Sequence, residues 1–187
     1  MIAVIFVLPV QKFIQARIGS HEGQLILWAS AEEIIKYLAV LIVLYRTSYI
    51  NQPIDWSMYI ITAALGFAAM ENILIINRVL GDGLSATVGL WSLRFAGATL
   101  LHALSSALLG YFIALAWFYF DHRKALFVIG LALATVFHWS FNLFISQMHQ
   151  SVSLLFSTIL LMAMAFLVST LFDKIKERDG QVTPTIV

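Results

Sequence analysis

Residues 25–45 read LILWASAEEIIKYLAVLIVLY, and the fold of the chain turns on what that stretch can and cannot be. About twenty residues, rising about 1.5 Å each, cross the roughly 30 Å hydrocarbon layer of a bilayer as one helix. Yet Glu32, Glu33 and Lys36 sit near its middle. Each ionisable side chain at that depth costs roughly 2.5–3.5 kcal/mol on insertion scales, and such groups face a protein interior or a wet cavity rather than lipid. Helical spacing sets Lys36 one turn from both carboxylates, at i+4 from Glu32 and i+3 from Glu33. One ammonium neutralises one carboxylate well but not two, so a charge or a proton is left over. A buried ion pair that glues helices together is the plain alternative, but such glue usually comes from Ser, Thr, Asn or Gln. The surplus carboxylate points to function.

The rest of the chain is of the same kind. Of its 187 residues 61% are hydrophobic and 11% charged, where an ordinary soluble domain has about 25% charged. Long, unalternating apolar runs exclude a β-barrel and define an all-α, polytopic transmembrane bundle with the lipid bilayer as its first partner. Six spans are expected, at roughly 1–17, 25–45, 57–79, 91–120, 125–147 and 151–172. The fourth is long enough to tilt, or to begin as an interfacial helix over residues 86–94. Asn51-Gln52-Pro53 and Gly81-Asp82-Gly83 carry turn chemistry. The opening MIAVIFVLPVQKF lacks a basic n-region and a clear cleavage site, which makes it a short first span, interrupted by Gln11 and Lys12, rather than a signal peptide. One membrane domain over residues 1–172 is expected, followed by a polar, disordered tail over 173–187.

Net charge of +1 argues against nucleic acid as a partner, and the lack of cysteine excludes disulfides, a thiolate nucleophile and a cysteine metal site. Orientation follows from the basic residues. With six spans, the loops after the second and fourth share a side with the C-terminus. That side holds Arg46, Arg123, Lys124, Lys174, Lys176 and Arg178, against Lys12, Arg17, Arg78 and Arg94 on the other. The positive-inside rule then places the C-terminus in the cytoplasm.

Other polar residues interrupt the later spans: Glu71-Asn72 in the third, His102 with Ser105 and Ser106 in the fourth, His138 and Asn142 one turn apart in the fifth. Counted from the non-cytoplasmic ends, Glu32, Glu71, His102 and His138 lie at one depth, roughly 12–16 Å in at helical rise. Independent structural residues have no need of a common level, so one shared site is expected. Taken singly, each has a plainer reading. His102 could bond a backbone carbonyl, Asn142 could be interhelical glue, and at least one of Ser105 and Ser106 is expected only to let helices approach. Gly66 and Gly110 read as packing glycines, and AWFYFDHRK as an interfacial aromatic belt. His21, His122 and His149 fall in loops or at span ends and receive no role.

Two acids, two imidazoles and an amide at one level suit hydrolysis. A desolvated carboxylate beside a lysine can take a proton from water, and a histidine can orient that water or protonate a leaving amine. An amide and a second histidine can donate to an oxyanion, a contribution of about 2.7–4 kcal/mol per good donor. The same groups, Glu32, Glu71, His102 and His138, could instead hold Zn²⁺ with an open position. No His-Glu-x-x-His helix and no Gly-x-Ser-x-Gly elbow is present, so the residues leave metal use open.

Glu32-Glu33-x-x-Lys36, Phe67-x-x-x-Glu71-Asn72, His102-x-x-x-Ser106 and His138-x-x-x-Asn142, in that order on successive spans, resemble the PrsW family of intramembrane proteases. The likeness covers roughly residues 25–145. It is similar, more distantly, to the CAAX prenyl endopeptidases and Abi proteins, from which it departs by Lys36 in place of an arginine one residue on and by Glu71 in place of a histidine. The resemblance implies hydrolysis of a peptide bond of a membrane-anchored protein, such as an anti-sigma factor, in a prokaryotic plasma membrane. It also implies that a first span of relatives is abbreviated here. In this reading Glu32 is the water-activating base, with Glu33 and Lys36 setting its charge. Glu71 and His102 position water or a metal, His138 and Asn142 stabilise the oxyanion, and Asn72 and Ser106 support them. The rival is a proton-coupled transporter or channel that uses the same cluster as a relay, although no repeated halves or paired broken helices are seen. A non-catalytic scaffold is the third possibility, and the clustering disfavours it.

Overall fold

A computed structural model describes residues 3–45, 49–79, 94–147 and 150–182, with Gly81, Gly83 and Val88 besides. Among the described residues six α-helices follow one another: α1 (Ala3–Arg17), α2 (His21–Leu44), α3 (Pro53–Val79), α4 (Thr99–Phe118), α5 (Arg123–Gln147) and α6 (Gln150–Val182). A π-helical turn, Arg94–Ala98, leads into α4, and a 3₁₀ turn, Phe120–His122, joins it to α5. No strand occurs among the described residues. Among the described residues four segments are long and apolar enough to cross a bilayer: Pro53–Val79, Arg94–Phe118, Phe120–Ser146 and Val152–Gln181. The protein is an integral membrane protein. Of the other two expected spans, α1 is short at 15 residues, and α2 has the right length but carries charge through its centre.

Helix ends lie where the local chemistry sets them. Pro53 opens α3 at the first helical position, where its missing N–H would have had no partner. Just before it, Asp55 Oδ2 accepts from the backbone N–H groups of Asn51 (2.8 Å) and Gln52 (2.9 Å), which closes the turn expected there. The structure therefore starts α3 earlier than residue 57, and α2 at His21 rather than residue 25, because polar first turns prolong each helix beyond its apolar stretch. Gly83 has φ of +105°, a backbone region that glycine reaches without strain.

The tail differs from expectation. Helix α6 runs through residue 172 without a break and continues to Val182. Ile175 is 2% exposed, and Arg178 donates to the Tyr119 hydroxyl at 2.8 Å while lying over the rings of Phe118 and Tyr119. The polarity read as disorder is the wet face of a helix anchored on the end of α4. Residues 183–187, Arg46, Asp82, His149 and most of the 86–94 segment lie outside the described residues.

The core is built around α4. Leu101, Leu104, Ala107 and Leu108 pack against Phe137 and Phe141 of α5 and Leu161 and Val168 of α6. A smaller cluster of Val4, Val7 and Phe67 seats α1 on α3. Helices α3 and α4 approach closely enough that a Cβ at Gly110 would stand 2.7 Å from the Cα of Ser57. A backbone atom cannot swing aside, so Gly110→Ala should force the two helices apart, with a loss of about 1–3 kcal/mol of stability. Thermal unfolding of detergent-purified protein checks this, with Gly180→Ala as the control, since nothing lies within 4 Å of that Cβ.

Candidate active site

The four helices α2, α3, α4 and α5 converge on one polar cluster in the apolar interior. Glu33 and Lys36 are both 0% exposed and bonded to each other, Nζ to Oε1, at 2.7 Å. Ser105 of α4 donates to the same oxygen at 2.9 Å and Ser106 donates to Oε2 at 3.0 Å. His138 of α5 completes the set, with Nδ1 2.9 Å from Oε1. Both serines therefore serve the carboxylate, where the sequence suggested that at least one only allows close packing. Lys36 has chosen Glu33 rather than Glu32, which resolves which of the adjacent acids is neutralised.

Lys36 also reaches His102 Nδ1 at 2.9 Å. An ammonium can only donate, so Nδ1 holds the lone pair and Nε2 carries the hydrogen. That Nε2–H points at Glu71 Oε2, 3.0 Å away. Glu71 is held in turn by Arg94 Nη2 at 2.9 Å, and the same guanidinium gives its Nε–H to Asn72 Oδ1 at 2.9 Å. The Asn72 amide donates to Thr99 at 3.2 Å. Phe67, one turn before Glu71, lies 5.0 Å below Lys36 Nζ and meets the His102 ring edge-on at 5.4 Å.

Glu32 is treated differently from its neighbour. Its Oε1 accepts from Gln11 Nε2 of α1 at 2.9 Å. Its Oε2 is buried with no hydrogen-bond partner among the described residues. Facing it, at 3.6 Å, is His138 Nε2. In a neutral imidazole whose one N–H goes from Nδ1 to Glu33, Nε2 keeps a lone pair. The gap between Glu32 Oε2 and His138 Nε2 is too wide for a direct bond, and a contact of this length suits a bridging water.

Of the candidate metal ligands, Glu32, His102 and His138 offer donor atoms within 4.8 Å of one another. Glu71 is not in that group, and its carboxylate is bonded to Arg94 and His102. Three protein ligands are what a catalytic zinc site uses. Glu32 Oε2 and His138 Nε2 are open to such an ion, whereas His102 would first have to release Glu71. Asn142, half-buried one turn from His138, makes no hydrogen bond to the network among the described residues.

Two members were not singled out in the sequence. Gln11 was read only as an interruption of the first span and Arg94 as a surface cation. The signal available for both was the one used for Glu32, a polar side chain within helical reach of an apolar run.

These features define a class, a helical integral membrane protein with a charged site enclosed between its helices. Residues 1–171 match the PrsW family intramembrane metalloproteases, and the chain belongs to that family. It is similar to Protease PrsW of Shouchella clausii, 27% identical over 122 residues, which are 65% of this chain and 54% of that protein. Protease PrsW of Geobacillus kaustophilus is 29% identical over 115 residues, 59% of this chain and 48% of that protein. That of Halalkalibacterium halodurans is 27% identical over 113 residues, 60% and 49%. The chain thus spans about half the length of the curated relatives it matches. No solved structure matches it.

Removing the lysine should expose how much the cluster depends on it. Lys36→Met leaves a buried carboxylate without its cation, a loss of about 3–5 kcal/mol. Glu33→Gln added to it removes the stranded charge, so the double variant should be more stable than Lys36→Met alone. Thermal unfolding of the three proteins in detergent reads the difference, and a double variant no better than the single would show that the pair is not coupled.

Proposed function

We propose that the chain is an intramembrane endopeptidase acting on a membrane-anchored protein. The observation that carries this reading is the open Glu32 Oε2 facing the Nε2 lone pair of His138. A water between them gives one hydrogen to each acceptor and turns an oxygen lone pair outward, toward a substrate carbonyl. As that oxygen bonds to the carbonyl carbon, its proton passes to Glu32, and Glu32 returns it to the amine as the C–N bond breaks. Gln11 holds the other oxygen of Glu32 and so aims Oε2. Glu33, locked by four donors, keeps His138 in the tautomer that accepts. Asn142 stands one turn along α5 with its amide uncommitted to the network, as an oxyanion donor would before substrate arrives. Membership of a protease family weighs against the proton-relay alternative. The family likeness also supports an anti-sigma factor as the class of substrate and a prokaryotic plasma membrane as the setting.

A metal fits the same place. Glu32, His102 and His138 would hold it, and when bound a Zn²⁺ supplies Lewis-acid polarisation and a more acidic water. Around it, Lys36 would still hold His102 Nδ1, and Glu33 would hold the His138 ring. Cleavage by purified protein with and without chelator separates the two forms of the reaction. Activity lost to the chelator and restored by Zn²⁺ assigns the three donors to a metal.

In the same assay Glu32→Gln should lower turnover by at least about 10²–10⁴-fold while thermal stability stays near wild type, because the amide keeps the shape and the bond to Gln11. Asn142→Ala should lower kcat with KM little changed. An active Glu32→Gln protein would move the base to another residue.

Orientation decides from which side substrate enters. Six basic residues on the side of the C-terminus against four on the other support a cytoplasmic C-terminus. The site then opens toward the outer face. Glu71 and Arg94, with side chains 25% and 21% exposed, are its most accessible members. With no native cysteine to remove, single cysteines report sidedness directly. A cysteine at Gly83 should react with impermeant maleimide on intact cells, and one at Lys124 only after permeabilisation. The reverse pattern would put the mouth of the site on the cytoplasmic side.

A further inference from the structure

A concavity of about 610 Å³ lies toward the other end of the bundle, where α3 and α5 begin and α4 ends. Trp56, Trp117, Phe127 and Tyr37 give it aromatic walls, and Arg123 and Lys124 are the only ionisable side chains besides Tyr37 that line it. Among the described residues no carboxylate does. Arg123 is stacked 4.0 Å over the ring of Phe120, another wall residue, which holds the guanidinium at the groove. Tyr37 meets Phe127 at 4.7 Å between ring centroids, so α2 and α5 close the groove from two sides.

We propose that this groove binds an anionic glycerophospholipid, with the headgroup phosphate on Arg123 and Lys124 and an acyl chain along the aromatic wall. Charge complementarity selects the occupant. Two adjacent cations with no acid among the lining groups call for a ligand that is net negative at one end. The apolar remainder calls for a hydrocarbon at the other. Position agrees, because Trp, Tyr and basic side chains at span ends are at the depth of lipid headgroups. A zwitterionic lipid carries a choline cation that would share the space with Arg123 and Lys124, so the preference is for the anionic class. This site is separate from the Glu–His cluster, although Tyr37 follows Lys36 directly on α2.

The groove contains its own reporters, Trp56 and Trp117. The full chain is reconstituted in phosphatidylcholine vesicles that contain a minor fraction of acyl-brominated phosphatidylglycerol or, in parallel, acyl-brominated phosphatidylcholine, and tryptophan fluorescence is measured. Each cation near the surface favours an anionic lipid by roughly fivefold, so the brominated phosphatidylglycerol should quench at a markedly lower fraction than the brominated phosphatidylcholine. The difference should disappear in R123Q/K124Q, whose changes lie at the exposed start of α5, and shrink for wild type at high salt. It should also disappear in W56F/W117F, which removes the local reporters. Equal quenching by the two lipids in wild type would overturn the proposal. So would a preference that survives in R123Q/K124Q, or one that persists undiminished in W56F/W117F.

Discussion

Glu33 is a carboxylate with no access to water, and the packing of the bundle is what its burial demands. Four donors reach it, one from its own helix, two from α4 and one from α5. An isolated ionised acid in such a place would be untenable, and even a single missing partner leaves several kcal/mol uncompensated. Satisfying it therefore fixes the rotation of α2 against α4 and α5 as firmly as any apolar contact does. Ser105 and Ser106 are small enough to let α2 come that close and polar enough to be needed there.

Two glutamates stand side by side in the chain and share one depth, yet they are in opposite states. Glu33 is saturated, whereas Glu32 has one oxygen held by Gln11 and one left open. The difference is not burial, since both are buried. It arises because helical geometry turns adjacent residues about 100° apart, so that one faces α4 and the other faces α1 and the gap beside His138. A rigid, fully bonded acid next to an under-bonded one is a way to hold reactive chemistry in place without letting it relax. His138 joins them, with Nδ1 on the first and Nε2 toward the second.

Much of this was legible in the sequence, and what was not has identifiable causes. Long apolar runs gave the helices, because a bilayer leaves a chain little other choice. A common depth of Glu32, Glu71, His102 and His138 announced one cluster, since in antiparallel spans equal depth places side chains at one level. What depth cannot give is rotation about each helix axis, and rotation decides partners. Whether Lys36 takes Glu32 or Glu33 is the same at i+4 and i+3. Arg94 was counted as a surface charge because it stands at a span's start, but the π-helical turn Arg94–Ala98 carries it back onto Glu71. The helical continuation of α6 was hidden by composition, because Ile175 is a lone apolar residue in a charged run and only its contact surface on α4 makes it matter.

The partners of Glu33 are also spread along the chain in a telling order. When a nascent polypeptide has emerged only as far as α3, that acid has Lys36 and nothing else. Ser105 and Ser106 arrive with α4, and His138 with α5. The local pair softens the entry of α2 into lipid, but it cannot complete the site. The helix that bears the chemistry must therefore wait, partly satisfied, for helices made later. Completion of the cluster is in this way tied to synthesis through α5, and a chain stalled before α5 holds an unmet need at Glu33.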